Sequence, residues 1–412
     1  MKILMVNKFF YIKGGSETYY FALKNLLQNH GHEVIDFSMT DDKNRDSKYR
    51  QYFVTNVDYN GKNNLFQKMK MAFNIIYSVE AKNKFEKLIK STNPDIVHLH
   101  IFQHQISPSI LSVLKKYKIP TVYTAHDLKM LCLNYKMMHD GVICEQCKNG
   151  KFYYCVQNKC VKNSVTKSLI NMIEGYFHKW KRSYDVIDMI ITPSLFYKKK
   201  FQEFHIPSDK TIHIPNFLDS EEPKISKNKT SKKYYLYFGR LSEEKGIFTL
   251  IKAVMKSTVQ LYIIGTGPME TEIVQYLSKN QIHNIHLLGY KSGKELQELV
   301  GNAKAVILPS EWYENGPYSA IEALQLKRPL IGSDLGGIPE LIWENKNGYV
   351  FENKNIVHLK KCIEKMENLS ELKYNEMEEC SGQIFKKYYT AEVHYNKLLN
   401  VYKNLLRQRR KL

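Results

Sequence analysis

Short apolar runs alternate with longer segments of helical period along the chain. The first run, Lys2 to Asn7, precedes a stretch in which Tyr20, Leu23 and Leu27 recur at i, i+3 and i+7. That spacing predicts a helix over Glu17 to His30, with Gly31 placed to cap its end. Glu33 to Met39 reads as the next strand, followed by Asp95 to His100 behind Pro94, Thr121 to Thr124, Met189 to Thr192 and Thr211 to Ile214. Helical segments lie around Gln67 to Lys90 and Thr166 to Tyr184. From Ser220 to Lys233 the chain is dominated by Lys, Ser, Glu and Asn, holds Pro223 and has no hydrophobic period, so it reads as a linker. Strands then return at Tyr234 to Phe238, Gln260 to Ile264, Ile285 to Leu288, Ala305 to Leu308, Pro329 to Gly332 and Tyr349 to Phe351. Ile356 to Leu412 reads as helices.

Strands alternating with helices imply parallel sheets, and the break in the middle implies two of them. The fold class expected is α/β, with two Rossmann-like doubly wound domains facing a central cleft. The first domain spans 1–216 and carries a Cys-rich insertion at about 130–162; 217–233 is the linker, and 234–388 the second domain. A helix over 389–412 is expected to pack back toward the first domain. A length of 412 residues, 43% of them hydrophobic and 25% charged, suits two cores better than one enlarged core. The opening Met1 to Val6 is read as a buried strand and not a signal peptide, because Asn7 and Lys8 interrupt it. No run approaches the roughly 18 apolar residues of a spanning helix, so a soluble or peripheral protein is expected.

Net charge is +20 and uneven: residues 1–220 hold 32 Lys/Arg against 19 Asp/Glu, the remainder 29 against 22. Such a field attracts anionic lipid headgroups, phosphorylated substrates or nucleic acid, and is equally the mark of a solvated Lys-rich surface. No recognisable nucleic-acid motif accompanies it, so no nucleic-acid partner is expected.

Ligands of open parallel sheets sit beyond the strand C-termini, where helix N-termini and glycine turns present N–H groups. Gly14-Gly15 follows the first strand in such a turn, although glycines there are as often structural. Arg240 and Lys245, in Gly239 to Gly246 after the first strand of the second domain, are two cations suited to a diphosphate leaving group. Between Pro309 and Leu324, Glu314 lies in a loop and Glu322 eight positions on in a helix. Carboxylates accept two hydrogen bonds from vicinal hydroxyls, and Asn315-Gly316-Pro317 opens that helix with free N–H groups.

This run, with Gly239-Arg240-Leu241 and Lys245-Gly246 upstream, resembles the E-x7-E signature of the retaining, GT-B-fold glycosyltransferases of family 4. The resemblance extends to Gly14-Gly15, His126-Asp127, Ile214-Pro215-Asn216-Phe217-Leu218-Asp219, Gly265-Thr266-Gly267-Pro268 and Gly336-Gly337-Ile338-Pro339-Glu340, in order along nearly the whole chain. It implies that Glu314 contacts the donor sugar, Glu322 the ribose, Arg240 and Lys245 the diphosphate, and that His126 approaches the donor from the first domain. Tyr290 would flank the base. It further implies a UDP- or GDP-sugar donor of hexose type, front-face displacement assisted by the leaving phosphate, and neither a catalytic metal nor a protein nucleophile. Capsule, exopolysaccharide or O-antigen assembly on a glycan or lipid-diphosphate acceptor, in the cytoplasm at the inner face of the plasma membrane, is the context it suggests. A nucleotide-sugar epimerase of the same fold, or a basic nucleic-acid-binding protein without turnover, is the alternative.

Two further features stand outside the signature. Five of seven cysteines fall between Cys132 and Cys160, and Cys144-x2-Cys147 with Cys155-x4-Cys160 matches the ligand spacing of a structural zinc knuckle, Cys132 being a spare or alternative ligand. Reduced thiols without metal, or redox chemistry, are the other readings. Phe66 to Tyr77 and Leu195 to Phe201 mix aromatics with cations as interfacial helices do, and equally suit buried helices with Lys-rich outer faces; the first reading gives peripheral contact with an anionic membrane.

Overall fold

Ile3 to Val6 are fully buried, and a strand apolar on both faces belongs in the middle of a covered parallel sheet. In the computed structural model, which describes residues 1–57, 64–218 and 233–409 and leaves out the side chains of 65–68, that is where it lies. Most of the expected linker and the basic Arg410-Lys411 fall outside the described residues.

The first domain runs β1 (Lys2–Val6), α1 (Gly15–Asn29), β2 (Glu33–Phe37), α2 (Leu65–Ile76), α3 (Val79–Thr92), β3 (Ile96–Leu99), α4 (Leu111–Tyr117) and β4 (Thr121–Thr124). It continues through a small hairpin of β5 (Met138–His139) and β6 (Val142–Ile143), then α5 (Tyr154–Gln157), α6 (Val165–Trp180), β7 (Met189–Thr192), α7 (Leu195–Glu203) and β8 (Thr211–His213). The second comprises β9 (Tyr234–Phe238), α8 (Ile247–Val254), β10 (Gln260–Ile264), α9 (Glu270–Lys279), β11 (Ile285–Leu287), α10 (Gly293–Gly301), β12 (Ala305–Leu308), α11 (Tyr318–Gln325), β13 (Leu330–Ser333) and β14 (Gly348–Phe351). Helices α12 (Ile356–Glu367), α13 (Glu371–Tyr388) and α14 (Ala391–Arg409) follow.

Each domain holds a six-stranded sheet, in the orders β2-β1-β3-β4-β7-β8 and β11-β10-β9-β12-β13-β14. Every pairing within them is parallel, with Met5 opposite Asp36 on one side and His98 on the other. Each domain starts its sheet in the middle and reverses strand order there, which opens a crevice at the strand C-termini of each. These are the two Rossmann-like halves of a GT-B fold.

The pattern over Gln67 to Lys90 is two helices and not one. Ser78 ends the first segment and caps α3, its hydroxyl accepting from the Ala81 N–H at 3.1 Å, while its own N–H donates to Ser107 Oγ at 2.9 Å. Gly31 has φ +74°, the left-handed conformation that ends α1.

Helix α14 buries Tyr395, Leu398, Val401, Tyr402 and Leu405 in the core of the first domain. The chain therefore crosses between domains twice, and the crossings lie side by side: the Leu218 N–H donates to the Tyr389 carbonyl at 3.0 Å.

Candidate active site

The loop from Pro309 to Pro317 connects β12 to α11 and is pinned from two sides by tight backbone approaches. A side chain at Gly336 (φ +62°) would collide with the Glu314 backbone, and one at Gly246 (φ +66°) with the Pro309 carbonyl. Both positions need glycine for conformation and for space. The Glu311 N–H donates to the Glu244 carbonyl at 2.8 Å, and the Gly337 N–H to the Glu314 carbonyl at 2.7 Å.

Held in this way, Glu314 is only 7% exposed. Its Oε1 receives Lys245 Nζ at 2.5 Å and Ser310 Oγ at 2.7 Å. Burial opposes the charge, yet Lys245 and these hydrogen bonds hold the carboxyl below its usual range, so Glu314 is an anion at neutral pH. Lys245 also lies 5.2 Å from the centroid of the Trp312 ring. Arg240, just past the end of β9, is exposed, and its guanidinium has no carboxylate partner among the described residues. The arrangement is a buried anion, a shared cation and a free cation at the C-terminal ends of adjacent strands β9 and β12.

Glu322 is placed differently. No charged group offsets its burial, which pushes its carboxyl up to about 7. Above it, α11 starts at Pro317 without a side-chain cap, as α1 starts at Gly14. The two helix N-termini meet across the cleft, where a Cβ on Gly15 would stand 3.6 Å from Tyr318 Cδ2. Both offer unpaired N–H groups and positive dipole ends to one space.

His126 enters the cleft from the first domain, after β4. Its Nε2 shares a hydrogen bond with His100 Nδ1 at 3.1 Å, and its ring meets Tyr19 edge-on at 5.0 Å. Burial pushes it down to about 3, so it is neutral. Behind it, His98 bonds Tyr402 of α14 at 2.6 Å and Thr124 at 2.7 Å. At the end of β1, Lys8 is brought down to about 8, first by burial and then by Lys13.

Asn315 faces the first domain, donating from Nδ2 to the Ala125 carbonyl at 2.6 Å and accepting from Ser194 Oγ at 3.1 Å. Its side chain is spent on the domain interface, as is the Gly316 carbonyl, which accepts from Asn216 at 2.9 Å. Tyr290 is 73% exposed past the edge strand β11, with no contact to the Arg240 or Glu314 groups.

Sequence reasoning gave no role to Glu340. Its two oxygens accept from the N–H groups of Leu195 and Phe196 at 2.7 and 2.6 Å, so a carboxylate of the second domain caps α7 of the first. Of the two readings of Leu195 to Phe201, that contact accords with the buried helix: Tyr197 and Phe201 are buried, and Phe196 packs on Tyr313 at 4.6 Å. Of the four cysteines whose spacing matches a zinc knuckle, three share a cavity with Cys132. Cys132, Cys144, Cys147 and Cys160 line one small cavity, while Cys155 is 1% exposed and does not line it. Among the described residues, no three His, Cys, Asp or Glu side chains stand as a ready metal-binding group.

Comparison with known proteins matches both domains. Residues 13–222, just over half of the chain, match the family model Glycosyltransferase Family 4, and residues 219–381 match Glycosyl transferases group 1. An uncharacterized glycosyltransferase of Methanocaldococcus jannaschii is 24% identical over 98% of this chain and 99% of its own. The O-antigen chain mannosyltransferase C of Escherichia coli is 24% identical over 53% of this chain and 62% of its own. Among solved structures, a sucrose-phosphate synthase from Thermosynechococcus elongatus superposes with a TM-score of 0.70 at 15% identity, covering 99% of each chain. Anabaena HepE, solved in complex with UDP and glucose, gives 0.66 at 14% identity over 98% of this chain and 100% of its own. With the cleft, its paired cations and its two carboxylates formed by segments that these models span, the chain belongs to glycosyltransferase family 4.

Proposed function

We propose that the chain transfers a hexose from a nucleoside-diphosphate sugar to a glycan or lipid-diphosphate-linked acceptor, with retention of anomeric configuration. The observation that carries this reading is the Lys245–Glu314 pair at the C-terminal ends of β9 and β12, with exposed Arg240 following β9. Arg240 and Lys245 are suited to neutralise a diphosphate as it leaves, and Glu314, ionised and next to Lys245, to accept hydrogen bonds from sugar hydroxyls. The N–H groups opening α1 and α11 add positive potential for the same phosphates. Glu322, one helical turn and more into α11, faces the ribose hydroxyls, and Tyr290 the base.

In the reaction the C1–O bond to the phosphate breaks, the acceptor oxygen bonds C1 on the same face, and the acceptor proton passes to the leaving phosphate oxygen. No carboxylate is needed as nucleophile. Neutral His126 donates or accepts one hydrogen bond at the donor sugar while His100 fixes its ring.

The acceptor side favours a lipid surface. On α6, Val165, Leu169, Ile173, Tyr176 and Trp180 form one exposed stripe, with Trp180 78% exposed, and Phe73 of neighbouring α2 is 71% exposed. Exposed Lys70, Lys167, Lys179 and Lys181 flank them, a composition suited to an anionic leaflet. The donor follows by analogy with neighbours solved with UDP and sugar, and surface-polysaccharide synthesis by analogy with the O-antigen enzyme.

A panel of UDP-, GDP-, ADP- and dTDP-sugars, read by thermal shift and then by nucleotide release, tests the reading. One donor should stabilise the chain, with release accelerated by membrane lipid extract. Absence of a shift with every nucleotide-sugar and free nucleotide would remove the donor site. Release without acceptor dependence would favour the epimerase alternative.

A further inference from the structure

Residues 127–164 form an arm rooted in the first domain's core through Leu128, Leu131, Cys132 and Met137 and through Lys129, paired with Glu174 at 3.0 Å, but its outer part from Met138 on has little to hold it together. Its hairpin has two residues per strand, and its own core cluster contains three buried residues, Leu133, Cys147 and Cys155. Of the seventeen non-glycine residues with positive φ among the described residues, seven fall between Tyr135 and Asn163: Tyr135, Met137, Asp140, Asn149, Lys159, Lys162 and Asn163. Left-handed backbone at such density persists only where surrounding structure over-determines it, and a segment this small lacks the apolar core to do so.

The arm nevertheless makes defined contacts to the second domain, and to the loops that carry the candidate donor site. Glu145 Oε1 accepts from Tyr313 OH at 2.8 Å, next in sequence to Glu314. Lys136 pairs with Glu244 at 3.5 Å, next to Lys245, and the Gly141 carbonyl accepts from Lys354 at 2.7 Å. Something rigid must position these three groups.

We propose that Cys132, Cys144, Cys147 and Cys160 bind one structural zinc ion that clamps this arm onto the donor domain. The four cysteines, brought together from residues 132–160 of the arm, line one cavity of about 10 Å³, the room needed by a single water-sized sphere. Such a space suits a single tetrahedral ion once the thiols rotate inward. Glu145 also lines the cavity, but its carboxylate is engaged by Lys200 at 2.8 Å and by Tyr313. With four thiolates the coordination is closed, so the ion has no open position for substrate and serves structure alone. Cys155 touches the Cys160 thiol from the arm's small core but lies outside the cavity lining, so it is assigned to packing and not to ligation.

Metal analysis of the full chain, purified without chelator, tests this first. The expected result is about one zinc per chain, with iron absent and all seven cysteines titrating as thiols after denaturation. Less than about half an equivalent after incubation with zinc, or a disulfide among the four cysteines, overturns the site. Cys155→Ser should retain the metal and Cys132→Ser should lose it; the reverse pattern overturns the ligand set. If Cys132→Ser does not fold, native mass spectrometry of the wild-type chain and of Cys155→Ser still decides. The second part, that zinc removal raises the donor KM severalfold, rests on the donor-site reading above. Metal content does not, so a loaded but inactive protein would sink that reading and leave the zinc site standing, while an active protein without zinc does the opposite.

Discussion

Two carboxyls eight residues apart are given opposite protonation behaviour by their surroundings. Glu314 is buried against Lys245 and stays ionised, while Glu322 is buried without a counter-charge and is pushed up to about 7. An unfolded glutamate loses its proton near 4.5, so between about 4.5 and 7 the folded chain holds one more proton than the unfolded chain. The contribution of Glu322 to stability is therefore most favourable below about 4.5 and falls as pH rises toward 7. Nucleotide binding runs the other way, because an ionised carboxylate accepts both ribose hydroxyls and a protonated one does not. Affinity for the free nucleotide should rise about tenfold from pH 6 to pH 8, and calorimetry in two buffers near pH 6 should register proton release. Glu322→Gln should bind weakly with a flat profile; a flat profile in the wild type would remove Glu322 from the ribose. His126, neutral above about 3, adds no slope in this range. The two glutamates were legible from their spacing, but their different charge states were not, because burial and the approach of Lys245 come from residues 69 and more positions away.

At the scale of elements, hydrophobic period located the helices and strands but not their partners. One period over Gln67 to Lys90 hid a break at Ser78, since a capping serine between two apolar stretches in phase leaves no mark on the pattern. The aromatic and lysine mixture at Leu195 to Phe201 suits an interfacial or a buried helix, and the pattern alone could not show the cap from Glu340, 145 residues away. The stripe on α6 was invisible as a surface because its period matches that of a core helix; only exposure separates the two. The stripe carries its own prediction. Ile173→Ser with Trp180→Ser should weaken binding to vesicles containing anionic lipid by about tenfold or more while leaving nucleotide affinity unchanged, as removal of that apolar area from the bilayer requires. Sedimentation with vesicles measures it, and binding equal to wild type would take the membrane off this face.

For the whole molecule, the sequence announced two parallel α/β units because β-rich runs and helices alternate in each half, and the order of short motifs identified the family. It carried less information about how the halves meet. The paired crossings at Leu218 and Tyr389, the seat of α14 in the first core and the hydrogen bonds of Asn315 and Glu340 all join residues far apart in sequence. The histidines show the consequence: His126 is backed by His100 and His98, and His98 reaches Tyr402 on the returning helix, so the cleft and the chain's last helix are one packed unit. On our reading, both domains close on one nucleotide-sugar and the Lys245–Glu314 pair is the point where its leaving group and its sugar meet. The direct test is transfer by Glu314→Ala, assayed with the donor that stabilises the wild type and with melting followed alongside. The account predicts a loss of at least about a thousandfold in transfer, with melting still cooperative though at a lower temperature, because Lys245 and Ser310 lose a buried partner while the fold is kept. Transfer at the wild-type rate in a folded Glu314→Ala protein would contradict it.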